Sequence, residues 1–120
     1  MITKLKDNEI FVFGSNKVGK HLGGSAKQAH EQFKAEWGIG EGLTGQSYAF
    51  PTLDENFKQV SRKELLDSYF NLLICCDNNK DKVFLMTPVG TGIAGFNLEY
   101  IKELFNDEHF KKPNNLIKLF

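Results

Sequence analysis

Apolar and polar positions fall along this chain in blocks that predict strands and helices in alternation. Ile10-Phe11-Val12-Phe13 is a continuous apolar run ending at Gly14, the pattern of a short strand buried on both faces. Ala26, Ala29, Phe33 and Trp37 then recur at helical spacing, with Lys27, Gln28, Glu31 and Lys34 on the opposite side, which predicts an amphipathic helix. Gly38, Gly40, Gly42 and Gly45 make a flexible connection into Ser47-Tyr48-Ala49-Phe50, a strand closed by Pro51, and residues 53–60 read as an exposed loop. Ser61-Arg62-Lys63-Glu64 has the spacing of a capping box, so a helix is expected from there to about Cys76. After the polar turn 77–81, Val83-Phe84-Leu85-Met86 predicts another buried strand. Asn97 is placed to cap a last helix whose apolar stripe is Leu98, Ile101, Leu104 and Phe105, and beyond Pro113 and Asn114-Asn115 the segment 116–120 predicts an edge strand. This succession defines an α/β fold: one domain over residues 1–120, a three-layer α/β/α sandwich with a mostly parallel mixed central sheet.

Composition narrows the function classes. Hydrophobic residues make up 41% and Phe occurs 11 times, enough apolar surface for one core without metal or disulfides. Lys plus Arg equals Asp plus Glu at 15 each, so the strongly basic balance of a duplex-binding protein is missing. Only Lys17, Lys20 and Lys27 offer a local basic patch. Cys75 and Cys76 are adjacent in an apolar run, unlike zinc ligand pairs, and read as small buried hydrophobes in a reducing, cytoplasmic setting. No apolar stretch reaches the length of a membrane span, and no cofactor or metal ion is implied. His30 and His109 read as helix-surface or helix-end residues.

Chemistry enters with two glycine-rich bends, each following a strand-like run. The first is Gly14-Ser15-Asn16 leading to Gly23-Gly24-Ser25, and the second is Gly90-Thr91-Gly92-Ile93-Ala94-Gly95-Phe96. Such bends let backbone N–H groups converge on an anion, and a helix starting just after adds the positive end of its dipole. In parallel sheets both bends emerge at the carboxyl ends of strands, so they are expected to face one crevice and suit a pyrophosphate.

Residues 14–20 also match a P-loop up to Lys20, and Leu72-Leu73-Ile74-Cys75-Cys76-Asp77 imitates the apolar run and Asp of its metal-holding partner, but His21 stands where Ser or Thr is needed. Gly90 to Gly95 satisfies the dinucleotide pattern G-x-G-x-x-G, yet too little chain follows for the rest of a Rossmann unit.

Taken together, Gly14-Ser15-Asn16, Gly23-Gly24-Ser25-Ala26, Gly45 to Pro51 and Thr87 to Phe96 resemble the macrodomain superfamily over roughly residues 9 to 105, and more narrowly its small bacterial and phage members. The resemblance implies a pocket for ADP-ribose or a related NAD-derived nucleotide, free or carried on ADP-ribosylated protein or nucleic acid. It places Asn16 on the distal ribose, Gly23, Gly24 and Ser25 in the first diphosphate loop, and Gly90, Thr91, Gly92, Ile93, Ala94 and Gly95 in the second. Phe96 is expected against a ribose or base, with Ser15 and Gln46 as weaker contacts and Asp7 as a guess for adenine. Hydrolytic members carry an Asp where this chain has Ala26 or Ala94, so in any cleavage of an ADP-ribosyl bond the water falls to Asn16, His21 or the substrate's own phosphate. Two other readings stay open: an interaction module of phage or bacterial origin with a degenerate pocket, and a P-loop-like nucleotide binder.

Overall fold

The apolar run beginning at Ile10 forms the middle of a sheet in the computed structural model, which describes residues 2–106 and 110–120. His109 lies outside the described residues. Strand β1 (Glu9–Asn16) is bonded in parallel on one side to β3 (Ser47–Leu53) and on the other to β4 (Val83–Met86). The full order is β2-β3-β1-β4-β5, with β2 (Gly42–Thr44) antiparallel on β3 and β5 (Leu116–Lys118) parallel on β4. The expected edge strand is therefore present, and the glycine-rich connection holds an additional one, β2.

A central strand needs side chains that fit two cores, and β1 supplies them by alternation. Phe11 and Phe13 join Ala26, Ala29, Phe33, Ala35 and Ala49 beneath helix α1 (Gly24–Gln32). Ile10 and Val12 join the larger cluster under α2 (Arg62–Asp77) and α3 (Leu98–Phe105), with Phe50, Tyr69, Phe84 and Phe105. One helix on one face and two on the other make the three-layer α/β/α arrangement.

Both helix starts read from sequence are formed. Ser61 Oγ accepts the Glu64 N–H at 3.1 Å and Glu64 Oε1 accepts the Ser61 N–H at 3.2 Å, while Asn97 Oδ1 accepts from Glu99 N at 2.8 Å. Asn115 does more than break the chain: its Nδ2 donates to the carbonyls of Cys76, Asn79 and Lys82, stitching the end of α2 to the start of β4. Cys76 is buried, and burial pushes its thiol up to about 12.

Three expectations need correction. Helix α1 stops at Gln32 because Lys34 adopts a left-handed φ of 62°, with the N–H groups of Phe33 and Ala35 both closing on Ala29 O. Trp37 thus lies outside the helix and is 51% exposed instead of core. Strand β3 runs through Pro51 to Leu53: β2 pairs only with residues 47–49, so the missing proline N–H falls on an unpaired stretch of edge. Leu98, in the first turn of α3, is 40% exposed although it belongs to the predicted stripe.

Candidate functional site

The carboxyl ends of β3, β1 and β4 lie side by side, and the chain leaves each of them into a loop. These three loops bound a cleft of about 340 Å³ lined by residues 14–16, 20, 22–26, 52–53, 57 and 87–94. The two glycine bends meet across it. Ile93 Cδ1 lies 3.0 Å from where a Cβ on Gly23 would sit, and a Cβ on Gly14 would come within 3.1 Å of Gly90 N.

The first bend ends in a helix terminus with unused donors. Gly23, the N-cap of α1, has no side chain to offer, and the first turn contains no acidic residue. The first three N–H groups of a helix have no partner within it, so those of Gly24, Ser25 and Ala26 remain available where these residues line the cleft.

The second bend is held from below. Gly90 takes φ +80°, and a Cβ there would lie 2.9 Å from Phe96 Cδ2 and 3.2 Å from Thr52 Cγ2, so only glycine fits. Phe96 N–H donates to Gly90 O at 2.8 Å and Gly95 N–H to Gly92 O at 3.0 Å. Among the described residues, the N–H groups of Gly92, Ile93 and Ala94 find no acceptor. Gly92 itself has nothing within 4 Å of its Cβ position.

The sequence-expected residues divide accordingly. Gly14, Ser15, Asn16, Gly23, Gly24, Ser25 and residues 90–94 come together around the cleft. Phe96 does not face it: its ring packs beneath the second bend, stacked on Tyr100 at 6.0 Å, and so is unavailable to a ribose. Gly95 likewise shapes the turn, with φ +75°, without lining the cleft.

Gln46 is at the wrong end of the sheet. Its carbonyl accepts from Phe11 N and its Nε2 donates to Lys6 O and Glu9 O, all at the start of β1. Asp7 lines a separate hollow at that same end. His21 does not line the cleft either. It is 2% exposed, has Nε2 2.7 Å from Glu36 O, and packs between Phe13, His30 and Trp37, so the geometry gives it no water to activate in the cleft.

Asn16 lines the cleft but is engaged as a staple. Its Oδ1 accepts Lys20 N–H at 3.0 Å and its Nδ2 donates to Lys20 O at 2.8 Å, fixing the first bend. Ser15 Oγ is committed to Gly40 O. The P-loop geometry is not formed, because α1 begins only at Gly24, four residues after Lys20, and residues 72–77 belong to helix α2 instead of a strand.

The sequence pattern singles out neither Thr52 nor Phe57 for the cleft, and it includes Thr87 and Lys20 only within wider motifs. Thr52 Oγ1 donates to Ser15 O at 3.2 Å and Thr87 Oγ1 to Val12 O at 2.7 Å, which closes the strand ends against the cleft. Lys20 and Phe57 face each other, the Nζ 5.8 Å from the ring centroid. The available signal was Phe57 itself, a lone aromatic in a polar turn.

Of the three expected basic residues, Lys27 pairs with Glu31 at 4.0 Å and Lys17 with Glu64, which leaves Lys20 for the cleft. The Lys17 ammonium is the largest cause, and the Ser61 bonds the next, of a fall in Glu64 from 4.5 to about 2. With the folded value below the unfolded one, the pair's contribution is complete above about pH 4.5 and is lost as pH falls toward 2. Carboxyl-resolved NMR titration is expected to place Glu64 near 2 and to show it rising in Lys17→Ala. An ordinary glutamate midpoint in the unmodified chain would contradict the pairing.

No protein-family model matches the chain, and no curated protein or solved structure shows significant similarity to it.

Proposed function

We propose that the cleft binds ADP-ribose or a related NAD-derived nucleotide diphosphate, as the macrodomain-like pattern of its two bends implies. The observation that carries this reading is the meeting of two sets of unpartnered N–H groups, Gly24 to Ala26 at the start of α1 and Gly92 to Ala94 in the second bend, at a single cleft. Its volume of about 340 Å³ falls within the range of small-molecule sites. A cleft of about 340 Å³ between the bends favours this over an interaction module with a filled pocket.

Binding, not hydrolysis, is the activity the lining residues support. Among the described residues no carboxylate or histidine lines the cleft, Ala26 and Ala94 stand where hydrolytic macrodomains carry Asp, and Lys20 is the one titratable group in the lining. The ligand is thus held and not cut.

Titration calorimetry with ADP-ribose is expected to give a one-to-one heat that saturates below millimolar ligand. ADP-ribosylated peptide incubated with the protein is expected to stay modified. Absence of heat at millimolar ligand overturns the binding reading, and release of ADP-ribose overturns the non-catalytic part.

A further inference from the structure

The third wall of the cleft is a tight turn between β3 and α2. Asp54 organises it: its Oδ1 accepts from Asn56 N at 2.8 Å and Lys58 N at 3.0 Å, its N–H donates to Lys58 O at 2.8 Å, and its carbonyl accepts from Phe57 N at 3.0 Å. Phe57 is thereby forced to φ +60°, a left-handed conformation that suits glycine or asparagine and costs an aromatic residue. Its side chain is 45% exposed and belongs to neither hydrophobic cluster, so packing of the core does not explain it.

Position supplies an explanation. Phe57 lines the cleft, with Lys20 Nζ 5.8 Å from its ring centroid. The turn is tied to the second glycine bend, because Gln59 Nε2 donates to Ala94 O at 2.8 Å and Gln59 bridges back to Leu53. A flat apolar ring is therefore held at a fixed setting beside the N–H groups assigned to phosphate.

Building on the nucleotide reading above, we infer that Phe57 is a stacking platform for the base of the bound nucleotide, with Lys20 as the adjacent cation, and that the platform accepts purines and pyrimidines alike. Every base has a π-face, and stacking on an aromatic ring gains affinity without reading the base edge. The cleft wall that holds Phe57 also includes Leu53 and Leu22, which offer no side-chain donors or acceptors, and among the described residues no Asp or Glu lines the cleft to fix an exocyclic amine. The site distinguishes nucleotide from bare phosphate, but not one base from another.

The test uses ADP, GDP, CDP and inorganic pyrophosphate as probes, with the full chain and two variants. Phe57→Gly suits the left-handed backbone, so thermal melting is expected to show a folded protein at least as stable as the original. The unmodified chain is expected to bind the three nucleotides within about fivefold of one another, and each more tightly than pyrophosphate. Phe57→Gly is expected to weaken all three nucleotides by about 10- to 100-fold and to leave pyrophosphate unchanged, while Phe57→Trp retains nucleotide affinity. Equal nucleotide binding by the glycine variant overturns the platform, as does an equal loss for pyrophosphate. A preference above a hundredfold for one base overturns the tolerance. If the unmodified chain binds pyrophosphate as well as any nucleotide, the platform falls and phosphate recognition stands. If it binds no probe, both fall.

Discussion

Gly92→Glu is expected to weaken ADP-ribose binding by at least about a hundredfold while leaving the melting temperature unchanged or slightly raised. The position allows a clean separation of binding from folding: apart from its chain neighbours no described atom lies within 4 Å of its Cβ site, and its φ is outside the left-handed region, so this cleft-lining position takes a side chain without strain. A carboxylate there competes with phosphate for the free N–H groups of the second bend and repels what remains of the anion. The same charge shares the cleft with the start of α1, which has no acidic residue in its first turn, and is mildly favourable to the fold. Calorimetry alongside thermal melting checks both halves, and an affinity equal to that of the unmodified chain would remove the second bend from the site.

Gly90→Ala should do the reverse, costing about 2–5 kcal/mol of stability. A left-handed alanine is disfavoured by about 1–2 kcal/mol. The added methyl also meets Phe96 Cδ2 at 2.9 Å and Thr52 Cγ2 at 3.2 Å, overpacking that adds about 1–3 kcal/mol. Urea unfolding measures the loss directly, and a change below about 0.5 kcal/mol, the ordinary surface range, would show that the bend relaxes freely. Two glycines two residues apart thus take opposite parts, one shaping the bend and the other leaving room for a guest.

That division was not legible in the sequence, where Gly90 and Gly92 are equivalent members of one pattern. What was legible is local: the capping box at Ser61, the cap at Asn97, the buried runs of β1 and β4, and the convergence of two bends that parallel strands impose. What escaped depends on partners far along the chain. Strand β2 has three residues in a glycine-rich stretch and exists through its pairing with β3. His21 is buried because a carbonyl fifteen residues away accepts it. Phe57 acquires its setting from the turn built by Asp54. Gln46 was misplaced for a reason the pattern did contain: a residue just before a parallel strand sits at the end of the sheet opposite the one where such strands deliver their loops.

Phe96 roots the second bend in the core beneath α2 and α3, whereas the first bend opens into α1 on the far side of the sheet. The two jaws of the cleft therefore grow from different layers and approach each other at Gly14 and Gly90 below and at Gly23 and Ile93 above. A doubly charged guest gripped by both would clasp the sandwich shut at its open end, so occupancy would be felt as added cohesion between halves otherwise joined by the sheet and by the Lys17–Glu64 pair.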